Sequence, residues 1–201
     1  MLAGDEIVFD LETQRAFSDL ENRNDFGGLG ISVLGAFSYR TGQFHVFTEG
    51  ELSEFEEMLK GARRVVGFNI RHFDYPVLQP HMKSLALRDL PTLDLMTDPA
   101  AHLSFRPKLD DLAKATLGVS KSGHGLEAIR WFREGRLDLV KNYCLDDVKI
   151  TKDLYEYGLQ HSQILIESRY GGAKRPIPVS WQRLPLVTAT QHSLFTPLEN
   201  F

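Results

Sequence analysis

The chain has 201 residues, of which 42% are hydrophobic and 25% are charged, and its formal net charge is -4. This composition fits one globular domain with a small appendage, and the acidic balance argues against a protein that coats duplex nucleic acid. The single cysteine, Cys144, excludes an internal disulfide and a cysteine-built zinc site. Because the sequence shows neither a signal-peptide pattern nor an apolar stretch that could cross a bilayer, we expect a cytoplasmic protein without membrane contact.

Apolar segments rich in β-forming residues predict five strands in the first half of the chain. They cover residues 6–11, 30–39, 43–48, 64–69 and 91–96. The turn sequence Arg40-Thr41-Gly42 predicts a hairpin between the second and third strands. Apolar residues at helical spacing predict helices over 51–61 and 75–87.

The second half of the chain changes to helical patterns. Helices are predicted over 108–117, 125–133 and 137–159, followed by strands over 162–170 and 174–181. This order predicts an α/β fold whose mixed sheet has an antiparallel three-strand start and then parallel strands, with flanking helices. We expect a main domain over 1–160, a β-hairpin extension over 161–182 and a tail over 183–201 that offers room for a protein partner.

Two acidic residues stand at the end of the first predicted strand, in the sequence IVFDLET. Asp10 and Glu12 are two positions apart, so their side chains point to the same face of the strand. Two carboxylates beside an apolar core repel each other unless a positive charge lies between them. Because hard divalent cations bind such oxygen pairs, the two acids indicate a metal site.

A third acidic residue, Asp74, lies between a predicted strand and a predicted helix, in VVGFNIRHFDYPVL. It is either a helix N-cap or a further functional carboxylate. Asn69, at the end of the same strand, is either a turn residue or a group that orients Asp74.

The long predicted helix carries Tyr143 and Asp147 four residues apart, so both side chains project from one face. The neighbouring Asp146 points away from that face and is interpreted as a solvated acid. Alone, Tyr143 fits a buried aromatic residue whose hydroxyl finds any acceptor. With Asp147 one turn further on, a shared functional role is favoured.

Taken together, these residues resemble the DEDD superfamily of 3′→5′ exonucleases, in its tyrosine-bearing branch. The three family motifs are matched, in order, by Asp10-Leu11-Glu12, by Asn69 with Phe73-Asp74, and by Tyr143 with Asp147. The histidine-bearing branch has a histidine five residues before the last aspartate, where this chain has Asn142. The resemblance covers about residues 5 to 160 and is nearest to stand-alone bacterial relatives of B-family polymerase proofreading domains.

The resemblance implies an RNase H-like fold and hydrolysis with two Mg²⁺ or Mn²⁺ ions about 3.5–4 Å apart. Asp10 would bridge the two ions, Glu12 and Asp147 would complete the site of the ion that activates water, and Asp74 would hold the second ion. Tyr143 would orient the attacking water and need not lose its own proton, since the metal lowers the pKa of that water. Asp94 is similar to a family position that shapes the rim of the site or caps a helix, and we assign it no catalytic role.

The same resemblance implies a set of substrate-binding residues: Leu11, Thr13, Asn69 and Phe73. Leu11 would pack against the terminal base, and the backbone near Thr13 would contact the terminal sugar. The expected substrate is single-stranded nucleic acid, with DNA favoured over RNA, and the product is a nucleoside 5′-monophosphate. The alternatives are an exoribonuclease with the same chemistry, because sugar discrimination is not written in the motifs, and a catalytically silent nucleic-acid-binding adaptor. The oligomeric state is left open.

Overall fold

The computed structural model describes residues 4–120, 123, 125–168 and 172–183. Of the tail expected over 183–201, only residue 183 lies within the described residues. The strands are β1 (Asp5–Thr13), β2 (Ile31–Ser38), β3 (Gln43–Phe47), β4 (Ala62–Gly67), β5 (Thr92–Asp94), β6 (Gln163–Glu167) and β7 (Lys174–Pro178). The helices are α1 (Leu52–Lys60), α2 (Asp74–Leu78), α3 (Thr97–His102), α4 (Leu109–Leu117), α5 (Gly125–Arg133) and α6 (Leu137–His161).

The main sheet has five strands in the order β3-β2-β1-β4-β5. Strands β1, β2 and β3 pair antiparallel, whereas β4 pairs parallel with both β1 and β5. This arrangement confirms the α/β fold with an antiparallel start followed by parallel strands. Because β1, β4 and β5 run in the same direction, their carboxyl ends meet at one edge of the sheet.

Strand β1 is the central strand and is buried along both faces, which explains its nearly continuous apolar sequence. Its side chains alternate between two apolar clusters, since Ile7 and Phe9 pack on one face while Val8 packs on the other. Helix α1 lies with the first cluster, and helices α4 and α6 contribute to the second. A buried strand between two apolar layers gives the acids at its carboxyl end a rigid base.

The helix predicted over 75–87 is shorter in the structure. Helix α2 ends at Leu78 and is followed by a single 3-10 turn, Gln79–His81. Pro80 has no backbone N–H, and its ring clashes with the carbonyl of Pro76 in a continuing helix. The chain beyond the turn is held instead by Glu56, whose carboxylate accepts the backbone N–H groups of Lys83 and Ser84 at 3.1 and 2.7 Å.

Strands β6 and β7 form a separate two-stranded antiparallel sheet that does not join the edge of the main sheet. It is fixed to α4 through Thr116, whose hydroxyl donates to the carbonyl of Leu165 and accepts from its N–H at 3.1 and 2.9 Å. The segment after β7 returns to the main body, where the buried ring of Trp181 lies against Tyr155 and Gly158 of α6.

None of the helices in the described ranges combines the length and the apolar character that a membrane crossing requires.

Candidate active site

The carboxyl end of β1 carries the first two predicted site residues. Asp10 pairs with Gly35 of β2, and the regular register is broken between Glu12 and Thr13. Such an irregularity re-aims side chains at the end of a strand. Asp10 is half-buried, whereas Glu12 and Thr13 are buried.

Helix α6 crosses the same part of the sheet and brings Tyr143 and Asp147 to β1. Its approach depends on Gly35, because a Cβ atom there would lie 3.1 Å from both Cys144 Sγ and Val148 Cγ2. At this contact the thiol of Cys144 donates to the backbone carbonyl of Asp10 at 3.4 Å. Burial raises the pKa of this thiol, so it stays neutral and acts as a small packing group.

The structure brings three of the four predicted acids into one cluster. Carboxylate oxygens of Asp10, Glu12 and Asp147 all lie within 4.8 Å of one another. Glu12 and Asp147 are buried, so their mutual repulsion is only weakly screened by water. Three close oxygen donors suit a hard divalent cation, and a bound cation would relieve that repulsion.

Asp74 lines the same cavity as these three acids, and the cavity has a volume of about 320 Å³. Phe73 occupies the N-cap position of α2 and Asp74 is the first helical residue, so Asp74 is not the N-cap. Its side chain is buried, and the lining of the cavity also includes Asn69, Phe73 and the three clustered acids. The cavity therefore contains all four predicted carboxylates.

Tyr143 is buried between the acids and helix α5. Burial is the main cause that raises the pKa of its hydroxyl well above the usual range, and the negative charges of Asp147, Glu12 and Asp10 raise it further. The ring of Trp131 meets the ring of Tyr143 edge-on, with centroids 6.1 Å apart. Tyr143 is thus a neutral, rigidly packed hydroxyl group beside the carboxylates.

The charge of the cavity is strongly unbalanced. Among the described residues that line it, four carboxylates face a single cation, Lys108. The lysine is exposed at the rim. A surplus of buried negative charge favours cation binding in the interior, while a lysine at the rim suits contact with a phosphate.

A second, larger cavity of about 530 Å³ opens beside the first. The two cavities share Leu11, Glu12, Phe73 and Gly125. The second cavity is mainly apolar, and its lining includes Phe17, Leu29 and, from α5, Leu126 and Ile129. Thr13 also lines it. Of the predicted substrate residues, Leu11 and Phe73 therefore lie at the junction of the acid cavity with an apolar groove, and Thr13 lies in the groove.

Several residues of the site were not singled out from the sequence. Gly35 and Leu126 belong to this group, whereas Asp94 was noted from the sequence but given no catalytic role. Gly35 is invisible to motif reasoning because its role depends on a helix more than 100 positions away. Leu126 is 73% exposed although it is large and apolar. Only its position in the lining of the groove indicates a role in the site.

Comparisons with known proteins agree with this architecture. The family RNase_H_2, described as RNase_H superfamily, matches residues 7–158. The family B DNA polymerase from the hyperthermophilic archaeon Pyrobaculum calidifontis shares the fold with a TM-score of 0.58 and 19% identity, over 78% of this chain and 24% of the polymerase. The zinc-bound E. coli ExoI–ssDNA complex gives a TM-score of 0.54 and 12% identity, over 79% of this chain and 41% of ExoI.

The chain thus spans less than half the length of either solved structure. Among curated proteins, none matches it at a significant level.

Proposed function

Because the chain belongs to the RNase H superfamily, we propose that it is a metal-dependent 3′→5′ exonuclease that removes nucleoside 5′-monophosphates from single-stranded DNA. The cluster of Asp10, Glu12 and Asp147, with carboxylate oxygens within 4.8 Å of one another, is the observation that carries this proposal. Asp74, which lines the same cavity, completes the set of four acids that the tyrosine-bearing DEDD branch requires.

The donor set of the cavity fits Mg²⁺ or Mn²⁺. All its acidic ligands are carboxylate oxygens, which hard cations prefer, and the described lining contains no histidine or thiol that would select a softer metal. Asp10, Glu12 and Asp147 would hold one ion, and Asp10 with Asp74 would hold the second. Two such ions supply positive charge that stabilises the attacking and leaving oxygens of a phosphodiester.

The side chains of the cavity have separate tasks in this proposal. Tyr143 keeps its proton and orients the attacking water by hydrogen bonding, since its pKa is raised by burial and by the nearby acids. Lys108 at the rim contacts a phosphate of the bound strand. The acids exclude a free phosphate group from the cavity until cations have neutralised them.

The apolar groove supports binding of the terminal nucleoside. A base has no charge and offers two flat faces, so it fits between apolar side chains without being read by hydrogen bonds. Leu11 and Phe73 line both cavities, which supports placing the terminal base against them and the terminal sugar near Thr13.

Two features favour DNA as the substrate. The polymerase neighbour is a DNA polymerase, and the ExoI structure is a complex with single-stranded DNA. Discrimination between DNA and RNA depends on contacts with the ribose 2′-hydroxyl, which the motifs do not specify. An exoribonuclease is therefore the second candidate.

The experiment uses single-stranded DNA and RNA oligonucleotides of matched sequence, each labelled at the 5′ end and incubated with Mn²⁺ or Mg²⁺. We expect the DNA to shorten stepwise from its 3′ end, and EDTA to stop the reaction. Asp147→Ala should abolish hydrolysis, as should Asp10→Ala combined with Glu12→Ala. Asp146→Ala is the matched control, because this neighbouring acid of α6 is exposed and does not line the cavity, so its variant should cleave at the normal rate.

The outcomes separate the candidates. Faster shortening of RNA would replace the DNA exonuclease by the exoribonuclease. A wild-type protein that is stabilised by Mn²⁺ but cleaves neither oligonucleotide would support the silent adaptor. Equal loss of activity in Asp146→Ala and Asp147→Ala would remove the acid cluster from the proposed mechanism.

A further inference from the structure

Asp94 is the last residue of β5, and its side chain is buried. Its carboxylate accepts three backbone N–H groups. One oxygen accepts from Asn69 at 2.7 Å and from Met96 at 3.1 Å, and the other accepts from Arg71 at 3.2 Å. Asp94 therefore ties the end of β5 to the turn that follows β4.

This turn determines where Asp74 lies. Asn69 adopts a left-handed conformation, with φ of 64°, and its carbonyl accepts the N–H groups of His72 and Phe73 at 3.2 and 3.1 Å. A left-handed residue other than glycine needs support from its surroundings. The bond from the Asn69 N–H to Asp94 provides that support at the residue where the chain reverses, five positions before Asp74.

The side chain of Asn69 is held as well. Its oxygen accepts a hydrogen bond from the Arg106 guanidinium, and the Nε of Arg106 lies 3.2 Å from the sulfur of Met96. Both Asn69 and Met96 line the acid cavity, and both are bound by Asp94 through their backbone N–H groups. Asp94 itself lines the neighbouring small cavity, with His72 and Arg106, and does not line the acid cavity.

We propose that Asp94 is a positioning residue that keeps the Asp74 carboxylate facing the other acids, and so sets the affinity of the site for its second cation. This inference rests on the proposed function, because it assumes that Asp74 is a metal ligand. Partners that orient metal ligands typically change metal affinity or activity by about 10- to 100-fold when they are removed. Asp94 acts through backbone groups, so a change there moves Asp74 without deleting it.

The turn has other attachments that should keep the fold intact without Asp94. The guanidinium of Arg71 donates to the carbonyl of Thr92 at 3.0 Å, and the hydroxyls of Tyr75 and Thr92 lie 2.7 Å apart. We therefore expect Asp94→Asn to fold, with a turn that is attached but displaced. Asn keeps one acceptor oxygen. Its NH₂ group replaces the other oxygen and cannot accept a hydrogen bond from a backbone N–H.

The test measures the Mn²⁺ concentration that gives half the maximal rise in melting temperature. Asp94→Asn should require about 10- to 100-fold more Mn²⁺ than the wild type. In an Asp74→Asn background the same change should have no further effect on the Mn²⁺ requirement, because coupled residues are not additive. Asp94→Glu, which keeps the charge but displaces the carboxylate by one methylene group, is the second variant and should shift the requirement in the same direction.

Glu56→Gln is the matched control. Glu56 is also a buried carboxylate that accepts two backbone N–H groups, but it lies on α1 and does not line the acid cavity. It should lower the melting temperature and leave the Mn²⁺ requirement unchanged.

Three results would overturn the inference. The first is a Mn²⁺ requirement in Asp94→Asn no larger than in Glu56→Gln, and the second is an additive effect in the Asp74→Asn background. The third is loss of folding in both Asp94 variants, which would assign the residue to stability alone. A wild-type protein that Mn²⁺ does not stabilise would overturn the proposed function itself, and this inference with it.

Discussion

The hydroxyl of Tyr143 is surrounded by groups that oppose its ionisation. Burial and three carboxylates all raise its pKa above the ordinary value of about 10 for tyrosine. Because the pKa is raised, the hydroxyl keeps its proton at neutral pH. A protonated hydroxyl can donate one hydrogen bond and accept others through its oxygen.

Tyr143→Phe should therefore slow hydrolysis without changing its pH dependence. We expect kcat to fall by up to roughly 100-fold, the scale of a misplaced reactant, while the shape of the rate profile from pH 6 to pH 10 stays that of the wild type. The measurement is kcat on 5′-labelled single-stranded DNA at saturating Mn²⁺. Loss of an ionisation from the profile in the variant would contradict the orienting role and indicate a base.

At the residue scale, the candidate acids could be identified by their positions in predicted strands and helices, not by residue type alone. Asp10 and Glu12 could be predicted to share a face because the side chains of a strand alternate. The contacts of Asp94 with the turn after β4 could not be predicted, because the three N–H groups that it binds come from residues up to 25 positions away and belong to no periodic pattern.

At the scale of elements, the distance between α6 and β2 decides whether the acids meet. Gly35 provides that distance, since any side chain there would press on Cys144 and Val148. These two residues lie beside Tyr143 and Asp147 on α6. A displacement of α6 is therefore transmitted directly to the acid cavity.

Gly35→Ala should reduce activity more than its effect on stability would suggest. The added methyl group is 3.1 Å from two heavy atoms, so α6 moves by a few tenths of an ångström, and we expect about 1–3 kcal/mol of destabilisation from overpacking. The same shift should lower kcat roughly tenfold, less than the 100-fold that a displacement of about 1 Å can cause.

Urea unfolding and kcat, both measured in Gly35→Ala, check this prediction. Gly50→Ala is the control, because a Cβ atom there has no heavy atom within 4 Å. Normal kcat in Gly35→Ala at a temperature where the protein is folded would show that the helix position tolerates the shift.

The elements that the sequence did not predict are those held by tertiary contacts. Helix α3 has six residues and includes Pro99, so it shows no apolar periodicity. Its Asp98 accepts the backbone N–H of Ser180 at 2.8 Å, a contact with the segment after β7. The long periodic helix α6, in contrast, was predicted to within a few residues because its apolar positions alone define it.

At the scale of the whole molecule, the segment after β7 packs against helix α6 and strand β4. The ring of Trp181 lies over Gly158, where an added Cβ would come within 2.2 Å of it. The guanidinium of Arg64 donates to the hydroxyl of Tyr155 at 3.2 Å and also to the backbone carbonyl of Gln182. These contacts lie near the amino end of β1, at the opposite end of the strand from the acids.

Trp181→Ala should lower stability and leave the chemistry intact. Removing a buried tryptophan costs about 3–5 kcal/mol, which corresponds to a fall of about 6–20 °C in melting temperature for a domain of this size. Calorimetry measures the loss, and kcat well below the new melting temperature should equal that of the wild type. A large fall in kcat in the folded variant would contradict the prediction that these contacts act on stability alone.

The sequence predicted the overall order of strands and helices, because each element of the main sheet has a clear periodicity. It did not decide whether β6 and β7 extend the main sheet or stand apart. That choice depends on the contacts of Thr116 with Leu165 and of Trp181 with α6, which join residues 23 to 49 positions apart.

The separation of the acids along the chain also affects synthesis on the ribosome. Asp10 and Glu12 leave the ribosome early, whereas Asp147 follows 135 residues later, on the last helix of the described chain. Domains fold from the amino terminus as they emerge, so β1 can pair with β2 long before α6 exists. Until α6 has emerged and packed on the sheet, the nascent chain cannot assemble the cluster of Asp10, Glu12 and Asp147.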